Sequence, residues 1–107
     1  MTTHNSYNYI AITLDNINII KIGETGRNIK ERTKELQKKG YIIVKTFDKT
    51  TNRAERLLIE SGLRITLLKK ENTQILKDDY FITSMDVIMD IIENFDNYCE
   101  YWLKYSQ

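Results

Sequence analysis

The sequence contains no proline and only one cysteine, one tryptophan and four glycines. Because Cys99 is alone, no intrachain disulfide can form, and no Cys/Cys or Cys/His cluster has the spacing of a structural zinc site. This usage fits a reducing compartment, and the expected location is cytoplasmic. No stretch approaches the roughly 18 consecutive apolar residues of a membrane span. The segment Met1 to Asn8 is polar and lacks the apolar core of an export signal, so no membrane association is expected. No repeat, low-complexity run or linker interrupts the chain. Its 107 residues, 41% of them hydrophobic, can bury one core but leave no room for a second, so a single domain over residues 1–107 is expected.

What is present is unevenly placed. The net charge is +1, yet residues 1–76 carry 14 Lys/Arg against 8 Asp/Glu, and residues 77–107 carry 2 against 7. The densest basic segment, Arg27 to Lys39, holds six basic and two acidic residues, which suits either a phosphate-facing surface or a solvated helix face. Ile, Lys and Asn together supply 36 of the 107 residues, a bias expected of an AT-rich coding genome such as a phage, a virus or a low-GC bacterium.

Tyr7 to Leu14 alternates, with Tyr7, Tyr9, Ala11 and Thr13 on one side and Asn8, Ile10, Ile12 and Leu14 on the other, as a strand does. A polar turn leads to a second β-branched run, Ile19 to Gly23, and the pair reads as a hairpin. If Ile20 and Ile22 share the apolar face with Ile10 and Ile12, the loop must have three or five residues; Lys21 and Gly23 then fall on the Tyr9 side. Asn28 with Glu31 caps a helix over about 28–39 that Lys38-Lys39-Gly40 closes, and Arg32 lies between Ile29 and Leu36 on the face that should meet the sheet. Tyr41 to Phe47 reads as a third strand. Asn52 with Glu55 opens a second helix, which Gly62 should weaken, kink or end. Residues 69–77 read as a polar connection and 78–82 as a short extended piece. Thr83 with Asp86 caps a last amphipathic, acidic helix over 84–104, whose apolar stripe runs from Met85 to Leu103. The fold expected is α/β (α+β): a small three-stranded antiparallel sheet flanked by helices, in the order ββαβα plus a C-terminal helix.

Written together, Tyr7-Asn8-Tyr9, eleven intervening residues and Lys21-Ile22-Gly23 resemble the motif pair of the GIY-YIG nuclease superfamily. The resemblance continues through Gly23-Glu24-Thr25, Asn28 to Arg32, Ala54-Glu55 and Asp79-Tyr80-Phe81, so the motifs fall within residues 7–82. Lys21 in place of the second tyrosine is most similar to the phage and viral branch, whose second motif reads KIG. The resemblance implies hydrolysis of DNA phosphodiester bonds assisted by one divalent cation, Mg²⁺ or Mn²⁺. By position, Tyr9 would orient or deprotonate the water, with Lys21 or the metal favouring its phenolate. Arg32 would grip the scissile phosphate and Glu55 would bind the metal. Gly23, Thr25, Arg27, Lys30 and Lys34 would contact nucleic acid. Leu36 occupies the region where some branches carry a histidine, which leaves the identity of the base open.

Each residue also has a plainer reading: Tyr9 as a packed ring, Arg32 as a surface ion pair with Glu31 or Glu35, Glu55 as the partner of Asn52 in a capping box. Three functions therefore stay open. They are a metal-dependent endonuclease, a catalytically weak nucleic-acid-binding module of the same type, and a protein-interaction or inhibitory factor. The last would act through Asp86, Asp90, Glu93, Asp96 and Glu100 on the final helix, with a homodimer through that helix if its stripe exceeds what the core needs.

Overall fold

The computed structural model describes residues 4–16 and 18–106; of the segments read above, Met1 to Thr3 of the polar start and Ile17 of the hairpin turn lie outside them. Strands β1 (Tyr7–Thr13) and β2 (Ile19–Thr25) form the expected antiparallel hairpin. Residues 14–18 connect them, a five-residue loop of the odd length that the apolar pattern requires. Ile10 therefore pairs with Ile22 and Ile12 with Ile20, while Tyr9 pairs with Gly23 and Ala11 with Lys21. Leu14 leaves the apolar face at the turn and is 69% exposed.

Helix α1 (Ile29–Lys38) starts where Asn28 Oδ1 accepts from the Lys30 N–H at 2.8 Å. It stops at Gly40, whose φ of +85° only glycine adopts without strain. Strand β3 (Tyr41–Phe47) returns along the free edge of β1, with a bulge opposite Ile10 and Ala11.

Helix α2 (Arg53–Leu68) begins with a displaced capping box. Asn52 Oδ1 accepts from the Glu55 N–H at 2.9 Å, but Glu55 Oε1 accepts from the N–H and hydroxyl of Thr51, at 2.7 and 2.8 Å, not from Asn52. The helix continues through Gly62 to Leu68 and does not end early there. A Cβ there would fall on the Trp102 indole, so the glycine serves close packing between helices.

Two expectations need correction. The sheet has five strands, not three, all antiparallel, in the order β3-β1-β2-β5-β4. The polar connection contains β4 (Gln74–Lys77), and the extended piece is β5 (Tyr80–Ile82), which pairs with Ile19 to Lys21. All four β4 residues are exposed, so this edge strand carries no alternation of burial to mark it. The final helix is also divided, into α3 (Met85–Glu93) and α4 (Phe95–Leu103) with a short 3-10 turn after it. Asn94 leaves helical geometry, and its amide donates back to the Asp90 carbonyl and carboxylate at 3.1 and 2.9 Å. Ser84, not Thr83, is the N-cap, accepting from the Val87 N–H at 3.3 Å; the buried Thr83 hydroxyl instead meets that of Thr73 at 2.7 Å.

Both sheet faces are covered. On one, Ile10, Ile20 and Ile22 pack with Ile59, Leu63 and Leu67 of α2 and with Ile88, Ile91, Phe95 and Cys99 of α3 and α4. Met85, Ile92, Trp102 and Leu103 pack against the same cluster, so the long apolar stripe of the last two helices is occupied within the chain. On the other face Tyr9 and Ala11 pack with Leu36 of α1, beside Tyr41 and Ile43. Among the described residues, no helix is long and apolar enough to cross a membrane.

Candidate functional site

The hairpin register sends Tyr9, Lys21 and Gly23 to the sheet face under α1. Tyr9 is fully buried at 0% exposure, and its phenolic oxygen has no hydrogen-bond partner among the described residues. A Cβ at position 23 would fall on Tyr9 Cζ and Oη; only the missing side chain lets the ring lie across β2. Lys21 Nζ lies 5.4 Å from the Tyr9 ring centroid and 5.2 Å from that of Tyr80.

Arg32 enters the cluster from α1. Its side chain is 27% exposed and its buried Nε has no hydrogen-bond partner among the described residues; Glu35, 3.9 Å from the guanidinium, is held more closely by Arg27 at 2.9 Å. A buried N–H left without an acceptor costs about 1–3 kcal/mol, and a phosphate in front of the guanidinium would offset that cost.

A residue that the sequence reading missed completes the group. The carboxyl of Glu60 is pushed up to about 7 by burial and by repulsion from Asp79 and Glu24, with Lys21 and Arg64 opposing. Glu60 and Asp79 in turn pull Lys21 towards its charged form, while burial, the larger effect, holds that ammonium below its usual range. Burial pushes the Tyr9 phenol up to about 12 against the opposing field of Arg32, so Tyr9 is protonated at neutral pH.

Glu55 has none of this cluster's charges among those that bear on its carboxyl. It is tied to Thr51 at the start of α2, and those hydrogen bonds hold its carboxyl below the usual range. Glu60, five residues on, is rotated about 140° around the helix and displaced about 7.5 Å along it. The signal for Glu60 was its place in the ladder Arg56, Glu60, Arg64 at four-residue spacing, beside the buried Ile59 and Leu63. Arg56 was also missed: it donates to Ser6 Oγ at 2.9 Å, meets Glu24 at 3.5 Å, and its carbonyl accepts from Asn8 Nδ2 at 2.9 Å. These contacts fix α2 against the ends of β1 and β2, and so place Glu60 one turn later.

The remaining expected contacts divide. Thr25 is buried, and its hydroxyl accepts from the Arg27 N–H at 3.0 Å, so it shapes the loop. Arg27 is exposed and paired with Glu35, while Lys30 and Lys34 stand exposed on the outer side of α1. Among the acidic residues of the last helices, Asp90 is engaged by Lys70 at 3.2 Å and Glu100 by Lys49 at 2.7 Å, whereas Asp86, Glu93 and Asp96 are exposed.

Among the described residues, no three His, Cys, Asp or Glu side chains converge as a cage for a metal ion. A magnesium ion that keeps most of its waters needs only one or two carboxylates. A hard oxygen donor is present in Glu60, which burial first, and then repulsion from Asp79 and Glu24, destabilise as an anion; a divalent cation would relieve both.

No family model, no curated protein and no solved structure matches this chain.

Proposed function

We propose that the chain is a nuclease of the GIY-YIG type that hydrolyses DNA phosphodiester bonds with the help of one divalent cation, Mg²⁺ or Mn²⁺. The observation that carries this reading is the pair of buried polar atoms, the Tyr9 hydroxyl and Arg32 Nε, without partners among the described residues, with the half-buried Glu60 carboxyl of α2 close enough for its charge to bear on Tyr9 and Lys21. Arg32 holds the scissile phosphate through its planar fork, and Lys21 adds a second positive charge beside it. Tyr9, a neutral phenol at pH 7, orients the attacking water by hydrogen bonding and does not itself take the proton. Glu60, whose charge interacts with that of Asp79, would hold the cation, which would supply charge relief and acidify a bound water. The metal-binding part expected of Glu55 thus passes to Glu60 in this proposal.

The test is nicking of supercoiled plasmid in Mg²⁺ or Mn²⁺. Arg32→Ala and Glu60→Gln should each slow nicking by about 100-fold or more, the range for losing one group that stabilises transition-state charge. Glu55→Gln should cut as the unaltered protein does at equal folded fraction. Undiminished cutting in Arg32→Ala and Glu60→Gln would remove the assignment. A second reading, a binding module that cleaves poorly, is favoured by the high pKa of Tyr9, which leaves the face without a phenolate base. Salt-sensitive DNA binding with no nicking in either metal would select it.

A further inference from the structure

Beside the phosphate cluster the same sheet face opens into a groove of about 610 Å³ lined by Lys39, Tyr41, Leu76, Lys77, Asp78 and Tyr80. One wall is the end of α1 with the start of β3, and the other is the turn between β4 and β5. The rings of Tyr41 and Tyr80 meet edge to face at 5.2 Å, although β1 and β2 lie between their strands in the sheet. Tyr80 belongs to both places, since its ring also lies 5.2 Å from Lys21 Nζ. Lys39 is close enough to bear on the charge of Lys21. An occupant of the groove therefore adjoins whatever Arg32 and Lys21 hold.

The lining states the chemistry of that occupant. Tyr41 and Tyr80 offer ring surface, the half-exposed Leu76 offers apolar surface, and Lys39 and Lys77 place one cation on each wall. A flat group with an anionic tail matches this set, and a nucleotide is such a group. Asp78 repels a phosphate but accepts from an exocyclic amino group, which turns the base towards the β4–β5 turn and the phosphate towards Lys39. Inside a duplex the base faces are covered by their neighbours and only edges reach a groove, so a stacked base here must be unpaired.

We infer that this groove seats an unpaired nucleotide next to the phosphate held at Arg32, so that the protein engages strands with single-stranded character at that point. The inference rests on the phosphate-site reading above, and the test separates the two. Fluorescence anisotropy with EDTA present, to prevent cutting, compares a short labelled single strand with the duplex of the same sequence. The single strand should bind more tightly. Tyr41→Leu, which keeps an apolar side chain over the smaller core, should weaken single-strand binding by about tenfold, within the range for losing one stacked base. Tyr41→Phe should retain it, and duplex binding should change little in either variant, with thermal melting confirming that both fold. Single-strand binding unchanged in Tyr41→Leu, or an equal loss on duplex, overturns the groove while leaving the Arg32 site standing. If the unaltered protein binds neither form, both readings fall.

Discussion

A carboxyl group taken out of water gives up its proton late, the more so with other acids near it, and Glu60 shows what that does to stability. In the unfolded chain it titrates near its ordinary 4.5, and in the fold near 7. Between those values the folded state holds a proton that the unfolded state has released, so stability falls as pH rises through the window and levels off above it. Glu60→Gln removes that loss: it should be more stable than the unaltered protein at pH 8, by about 1–2 kcal/mol once solvent screening is allowed for, and converge with it below about pH 4.5. A series of thermal melts across pH checks this, and curves that stay parallel would show that the carboxyl is not strained. Millimolar Mg²⁺ at pH 8 should raise the melting temperature of the unaltered protein and leave that of Glu60→Gln where it was. Gly23 has a different sensitivity. Gly23→Ala pushes a methyl group into the buried Tyr9 ring, and overpacking of that kind costs about 1–3 kcal/mol, read as a fall in melting temperature of about 4–8 °C per kcal/mol.

Helix α2 meets α4 at a point where two effects compete. An alanine at position 62 favours helix by about 1 kcal/mol over glycine, but its methyl group meets the Trp102 indole, whose Nε1 donates to Thr66 Oγ1 at 3.0 Å. Gly62→Ala should therefore destabilise the unaltered protein yet stabilise a Trp102→Leu background, and a urea-unfolding double-mutant cycle reads the change of sign directly. Local sequence signals went far with elements of this kind. The hairpin, α1, β3 and α2 were legible because apolar period, caps and the Gly40 stop agreed with one another. Strand β4 was not, since an exposed four-residue edge has no apolar face to display. The break at Asn94 was not legible either, because neither proline nor glycine marks it; a side-chain amide bonding back to Asp90 makes it. At the site, Tyr9, Lys21, Gly23 and Arg32 were placed together by strand parity and helix spacing. Glu60 was missed because the neighbouring Asn52 and Glu55 make a strong local motif, and its electrostatic interaction with Lys21 and Asp79 depends on how α2 docks, which no local pattern encodes.

Over the whole molecule, the charge asymmetry of the sequence becomes an asymmetry of faces. Helix α1, with Lys30 and Lys34 outward, covers the Tyr9 face, while the acidic α3 and α4 cover the opposite one. A polyanion approaching such a particle is turned so that α1 leads. Lys30→Ala and Lys34→Ala should each lower the slope of log affinity against log salt by about one on duplex DNA, uniformly across sequences, in anisotropy titrations at several ionic strengths. An unchanged slope in both would place the DNA elsewhere.

The five-residue connection between β1 and β2 gives these functional side chains an unusual relation to heredity. Insertion or deletion of two codons there lengthens or shortens a surface turn and leaves Lys21 and Gly23 opposite Ala11 and Tyr9. A codon gained or lost inside either strand instead confronts the chain with a choice between burying Lys21 and exposing Ile20 and Ile22, or opening a bulge to avoid both. Natural variation in length is therefore expected at residues 14–18 and not within residues 7–13 or 19–25, a constraint written in the count of residues and not in their identities.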